Sequence, residues 1–194
     1  MIKIAITGNM GSGKTTISRI FESTGIPVFY ADAEAKELYS DPLIVKKVKS
    51  LFGDQVFDNQ DVSFAKLAQI VFSDKISLKK LEAVIHPEVM IRFEEWTLQN
   101  LEEPIVVMEN AILFEGGFDR YFDVIVLVTC PEDIRIQRII QRDGTSEADV
   151  KKRMNFQWNE DQKVPFCQYV IVNDNHSSVI ENVMKIIEEL KGFS

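Results

Sequence analysis

The chain has 194 residues, with 30 acidic and 22 basic side chains, a formal net charge of −8 and 45% hydrophobic residues. That balance excludes a disordered chain, and the acidic excess argues against nucleic acid or anionic lipid as a partner, though a small anionic substrate needs only a local cationic pocket. Two cysteines, Cys130 and Cys167, exclude a disulfide framework, and no CxxC or Cys/His metal spacing occurs; with no membrane-length apolar run and no signal pattern after Met1, a cytoplasmic protein is expected.

Ile2–Thr7 (IKIAIT) reads as a first buried strand. Gly8, Asn9, Met10, Gly11, Ser12, Gly13, Lys14 and Thr15 then match G-x-x-x-x-G-K-[ST] at every fixed position. A helix over Lys14–Ser23, with Ile17, Ile20 and Phe21 at helical spacing, completes the strand–loop–helix context that a phosphate cradle requires. Glycines let backbone N–H groups turn toward phosphate oxygens. Lys14 is expected to bridge β- and γ-phosphates, Thr15 to offer its hydroxyl to Mg²⁺, and Thr16 to continue the nucleotide contact.

Pro27–Tyr30 reads as a second, short strand, followed after Ala31 by Asp32. Ligands of parallel sheets gather at the carboxyl ends of strands, so Asp32 suits the acceptance of a proton from a substrate hydroxyl. Equally, it suits the N-cap of a helix over Ala33–Tyr39. Through Leu101 the strand–helix alternation then stops. Asp61–Ala68 resembles a capped helix start, and His86-Pro87-Glu88 another, with Pro87 as its first helical residue. This stretch reads as a helical insertion of the kind that covers a substrate.

Ile105–Met108 is a third strand, with Glu109 at its end. A carboxylate there suits either Mg²⁺ orientation through water or a plain polar strand end, and Glu115 offers a similar choice farther on. Val124–Thr129 is a fourth strand. Pro131–Arg142 reads as a helix with Ile136, Ile139 and Ile140 on one side and Arg135, Arg138 and Arg142 on another. Asp143-Gly144 signals a turn, and Ser146–Asp149 a capping box opening a helix that carries Arg153 and Gln157. Two short helices around a turn make a mobile lid, and lid arginines stabilise charge on a transferring phosphoryl group. Arg135 reads as a solvated residue, and Arg138, Arg142 and Arg153 as the functional ones. Tyr169–Val172 is a fifth strand, and a last helix over Ser177–Lys191 presents Ile180, Val183, Met184 and Ile187 to the core. His176 reads as an exposed residue at that helix start, and Trp96 and Trp158 as packing residues.

Alternating strands and helices imply an α/β fold: a five-stranded parallel sheet flanked by helices, with a helical substrate region and a helical lid. The absence of Asn-Lys-x-Asp argues against a guanine-selective GTPase, and the length argues against motors and AAA-type ATPases. A small-molecule kinase leads, one acting on a nucleoside or nucleotide included, with a regulatory phosphate-loop ATPase as the alternative from another class.

Several segments together resemble the dephospho-CoA kinase family across nearly the whole chain. ITGNMGSGKTT is similar to the family's TGGIGSGKS opening, and Gly25–Ala33 to its G-x-x-V-I-D-A-D segment. Leu67–Phe72 resembles L-A-x-I-V-F, and Leu81–Pro87 resembles L-E-x-I-x-H-P. Ile112–Glu115 matches P-L-L-F-E without its proline, Gln137–Asp143 resembles the Arg-Asp segment, and Arg153–Gln157 fits the lid's R-x-x-x-Q. Tyr30 replaces the first acid of D-A-D, and Phe64 stands where relatives usually carry an arginine.

The resemblance implies ATP- and Mg²⁺-dependent phosphorylation of the ribose 3′-hydroxyl of dephospho-CoA, giving coenzyme A and ADP. It implies Asp32 as the catalytic carboxylate; the phosphate loop, strand end and lid read above add Lys14, Arg138 and Arg142 to catalysis and Thr15 and Glu109 to the metal side. His86 and Arg153 fall on the substrate side, and Asn173 near the adenine. It also implies one kinase domain over 1–194, with a core of about 1–31, 104–135 and 165–194, a substrate region of about 32–103 and a lid of about 136–160. The oligomeric state stays open, a monomer included.

Overall fold

The computed structural model describes residues 1–192. In chain order its elements are β1 (Ile2–Thr7), α1 (Lys14–Ser23), β2 (Val28–Tyr30), α2 (Ala31–Glu37), α3 (Pro42–Phe52), β3 (Phe57–Asp58), β4 (Asp61–Val62), α4 (Phe64–Val71) and α5 (Lys75–Gln99). Then follow β5 (Ile105–Glu109), β6 (Val124–Thr129), α6 (Glu132–Asp143), α7 (Glu147–Met154), α8 (Glu160–Lys163), β7 (Tyr169–Val172) and α9 (Val179–Lys191). They form two compact units: Met1–Tyr30 with the chain from Thr97 onward, and Ala31–Trp96.

The first unit holds a five-stranded sheet in the order β2-β5-β1-β6-β7, parallel throughout. Apolar β-branched runs suit strands covered on both faces. Ile4 and Ile6 of β1, Val107 of β5 and Val126 and Val128 of β6 join one buried cluster with Ile17 and Phe21 of α1 and Val183, Ile186, Ile187 and Leu190 of α9. Full burial of a side chain such as Phe21 contributes about 1.5–3 kcal/mol. The α9 stripe differs from the expected one, since Ile180 and Met184 are exposed and Ile186 and Leu190 take their places. Helical spacing defines a stripe, but only docking chooses which of two neighbouring stripes faces inward.

Parallel register carries the strand ends to one edge. Ile6 lies opposite Glu109, Thr7 opposite Leu127, and Thr129 opposite Val172. The loops after β1, β5, β6 and β7 therefore leave the sheet side by side, as the ligand-binding edge of an α/β sheet requires.

The second unit is helical apart from a two-residue hairpin. Ile44, Val48 and Phe52 on α3, Leu67 and Val71 on α4, and Leu81, Ile85, Val89, Met90 and Phe93 on α5 are buried. Arg92 reaches Glu34 at 3.0 Å, and Lys47 reaches Glu88 at 3.0 Å. Two expected helix starts are displaced. Asp61 and Val62 pair with Asp58 and Phe57 in the hairpin, and the helix begins after Ser63. Pro87 lies inside α5 rather than at its start. Proline removes one helical hydrogen bond, but Leu81 and Ile85 before it and Val89, Met90 and Phe93 after it are all buried, and their burial outweighs that loss. Asp32 stands in the first turn of α2, which begins at Ala31, so it is not the N-cap.

Candidate active site

The turn between β1 and α1 is shaped by its own backbone. Ser12 N–H donates to the Asn9 carbonyl at 3.1 Å, and Thr16 N–H to the Gly13 carbonyl at 3.0 Å. Gly13 caps α1 in the left-handed region at φ 91°, and a Cβ there would lie 2.1 Å from Asn173 Nδ2. At Gly8 a Cβ would lie 2.3 Å from the Val128 carbonyl oxygen, which belongs to β6 and cannot retreat. The glycines thus permit close approach of neighbouring strands as well as an unusual turn. With no side chain on the cap, the first turn of α1 presents N–H groups and the positive end of its dipole to an anion. Lys14 is buried, and its Nζ donates to the Gly8 carbonyl at 3.0 Å, which holds the ammonium against the loop.

Around this loop the structure gathers most of the residues expected there. Thr15 Oγ1 donates to Glu109 Oε1 at 2.9 Å, joining the start of α1 to the end of β5. Arg138 of α6 directs Nη1 at the Gly11 and Ser12 carbonyls, at 3.4 and 3.5 Å. Its Nη2 donates to the Asn173 carbonyl at 3.2 Å and to Asn175 Oδ1 at 2.5 Å. Asn173 Nδ2 donates to the Ser12 carbonyl at 2.8 Å. One guanidinium therefore links the phosphate loop to the loop after β7. Tyr30 lies opposite Glu109 in the β2–β5 register. Burial first, then its hydrogen bond to Glu22, pushes the Tyr30 hydroxyl above its ordinary pKa, so it remains neutral.

The arginines of α6 do not act as one face. Arg135, expected in solvent, is buried: its Nε donates to the Cys130 carbonyl at 3.0 Å, and Glu160 lies 3.7 Å away. The reason is the close approach of Gly11, where a Cβ would meet the Arg135 carbonyl oxygen at 2.7 Å and which seats this part of α6 against the phosphate loop. Arg142 is exposed and pairs with Asp143 at 2.7 Å, and Arg153 reaches the same carboxylate at 3.3 Å. Those contacts, the Arg142 hydrogen bond foremost, hold the Asp143 carboxyl below its usual range. Ile136, Ile139 and Val150 form a small core under the two helices. Ser146 caps α7 as expected, accepting from Asp149 N–H. The helix ends at Met154, so Gln157 lies in the turn beyond it rather than on it.

Glu115 does not join Glu109. Its Oε1 lies 3.0 Å from the fully buried Lys163 ammonium and accepts Trp158 N–H at 2.7 Å. Trp158 stacks on Phe114 and Trp96 on Phe93, each at 6.0 Å, so both are packing residues. In the second unit Asp32 is exposed, and His86 sits within α5, where burial lowers its pKa to about 4. Asn175 is the site neighbour that residue patterns miss, because an amide in a loop has no periodic signature; Gln157 is legible as the end of R-x-x-x-Q, but its partners Met10 and Ala111 are not.

The donors at Thr15 and Glu109 are a hydroxyl and a carboxylate, the hard oxygens that Mg²⁺ favours. No group of three or more His, Cys, Asp or Glu side chains fit to hold a metal occurs among the described residues. A Mg²⁺ ion shared between one or two protein oxygens and substrate phosphates needs no such cage. Among the described residues no helix is long and apolar enough to cross a membrane.

The model of the dephospho-CoA kinase family matches residues 2–178. A dephospho-CoA kinase of Bacteroides fragilis is 34% identical over 187 residues, covering 96% of this chain and 91% of its own. A crystal structure of a Thermus thermophilus protein superposes with a TM-score of 0.85 at 35% identity, covering 97% and 96% of the two chains. The dephospho-CoA kinase of Campylobacter jejuni superposes with a TM-score of 0.70 at 26% identity, covering 99% and 98%.

Proposed function

The chain belongs to the dephospho-CoA kinase family, and from that premise we propose how its residues divide the work of phosphorylating dephospho-CoA with ATP. The reaction moves the γ-phosphoryl group to the ribose 3′-hydroxyl and yields coenzyme A and ADP. A bond forms between that oxygen and phosphorus, and the bond to the ADP oxygen breaks. Phosphoryl transfer needs positioning and charge neutralisation more than covalent participation by the protein.

Residues from Gly8 to Thr16 cradle the nucleotide phosphates, with Lys14 on the β- and γ-oxygens. Arg138 adds positive charge at the rim of the cradle, and Asn173 lines the nucleotide side. Arg142 and Arg153, held by Asp143, turn to phosphate oxygens when the lid of about 136–160 closes about its anchored ends, Arg138 and Gln157. Asp32, two residues beyond β2 in the chain, takes the proton of the 3′-hydroxyl. The helical stretch of about 32–103, with His86, receives the acceptor. Thr15 and Glu109 would hold Mg²⁺, which would supply charge neutralisation for the nucleotide phosphates. Two free cysteines suit a cytoplasmic setting.

The strongest support is the convergence on one loop of the buried Lys14, the Thr15–Glu109 hydrogen bond and the Arg138 bridge. The test is ADP release from ATP-Mg with and without dephospho-CoA, in the natural chain and in Asp32→Asn. Acceptor-dependent release that falls by about 10²-fold or more in the variant is expected. Release that ignores the acceptor marks a regulatory ATPase instead.

A further inference from the structure

One side chain joins the loop before α1 to the loop after β5, the two elements on which the proposed Mg²⁺ ligands stand. Gln157 Oε1 accepts the Met10 N–H of the phosphate loop at 2.8 Å, and its Nε2 donates to the Ala111 carbonyl at 3.0 Å. Met10 belongs to the loop that leads to Thr15, and Ala111 follows Glu109 by two residues. Thr15 and Glu109 in turn meet at 2.9 Å. The segments 10–15 and 109–111 are therefore tied twice, once between Thr15 of α1 and Glu109 of β5 and once through Gln157. A carboxamide suits this place because it accepts and donates at once. A carboxylate cannot donate to Ala111, and an ammonium cannot accept from Met10.

The residues after Gln157 give it firm footing. Trp158 N–H donates to Glu115 Oε1 at 2.7 Å, and Lys163 pairs with the same oxygen at 3.0 Å. Glu160 lies 3.7 Å from the buried Arg135, which holds the Cys130 carbonyl at the end of β6. Residues 157–163 thus anchor on the loops that follow β1, β5 and β6. The half-buried amide works from a segment fixed at several points, which is what precise positioning requires.

Resting on the kinase reading above, we propose that Gln157 is a positioning residue for phosphoryl transfer. It holds the phosphate loop and the loop after β5 in the register that brings Thr15 and Glu109 together. The amide acts through Met10 and Ala111 rather than on the reacting atoms. Its loss should therefore lower turnover more than nucleotide binding, since misplacement by about 1 Å costs on the order of 10²-fold.

The test compares Gln157→Met, of similar length but unable to make either bond, with Gln157→Glu, which can still accept from Met10. Steady-state kinetics with ATP-Mg and dephospho-CoA, urea unfolding and Met10 amide exchange by NMR are measured on the full chain. In Gln157→Met, kcat should fall about tenfold or more while KM for ATP stays within about threefold. The Met10 amide should exchange at least about tenfold faster. Gln157→Glu should keep slow Met10 exchange yet still lose turnover, because the Ala111 bond is gone. A kcat within about twofold of the natural chain in either variant overturns the proposal. So does a loss of activity explained by a smaller folded fraction alone. Should Gln157→Met fail to fold, Gln157→Glu decides by the same kcat criterion. Absence of acceptor-dependent ADP release in the natural chain overturns the kinase reading instead, and unchanged Met10 exchange in Gln157→Met then overturns the clamp by itself.

Discussion

Lys163 and Glu115 form an ion pair at 3.0 Å in which the lysine is fully buried and the carboxylate nearly so. Removing one partner leaves the other charge buried without compensation, a loss of about 3–5 kcal/mol. Lys163→Met is expected to lower the unfolding free energy obtained from urea titration by about 3–5 kcal/mol. Adding Glu115→Gln should restore most of it, because the amide oxygen can still accept Trp158 N–H. A double-mutant cycle from urea unfolding measures the coupling.

Lys14→Ala removes the ammonium that donates to the Gly8 carbonyl from inside the loop. Nucleotide affinity and turnover should both fall, with kcat/KM lower by about 10²-fold or more. Calorimetric titration with a non-hydrolysable ATP analogue, beside the ADP assay, checks both. Retained affinity would remove Lys14 from the phosphate site.

Arg138 serves the Gly11, Ser12 and Asn173 carbonyls and Asn175 Oδ1 from one planar group. A lysine keeps the charge but cannot match that fork. Arg138→Lys is therefore expected to behave like Arg138→Ala, each losing about tenfold or more in kcat/KM for ATP. Rescue by lysine would show that charge, rather than bridging, is what the position supplies.

His86 supplies a pH dependence of stability. Burial lowers its folded pKa from 6.5 to about 4, so between those values the unfolded chain binds the extra proton. The stability it contributes is full above pH 6.5 and is lost as pH falls toward about 4. His86→Gln should flatten the fall in urea midpoint between pH 7 and pH 4, followed by circular dichroism. A profile identical to that of the natural chain would show that other groups dominate there.

Much of this was legible in the residues alone. Five strands and α1 stand where β-branched runs and helical spacing put them, with Glu109 added at the end of β5 and Pro27 left out at the start of β2. Local propensity and apolar pattern agree there, so the elements need no distant information. Lys14, Thr15 and Glu109 come together where the spacing of a phosphate loop and the shared edge of parallel strands put them. The two displaced helix starts, at Asp61 and Pro87, were misread because local cap and proline signals yielded to hairpin pairing and to buried side chains farther along the chain.

By itself, then, the sequence determined the strands, the loop whose spacing fits a phosphate cradle and the family to which the chain belongs, because each is carried by contiguous segments. Tertiary structure alone decided the fate of the three α6 arginines: Arg135 buried against Cys130, Arg138 on the phosphate loop and Arg142 on the surface with Asp143. It alone gave Gln157 its two partners, Met10 and Ala111. Helical spacing states which residues share a side, and side-chain chemistry states what each can bond. Which partner arrives within 3 Å is set by how separate segments of chain close on one another, and no pattern along one segment carries that information.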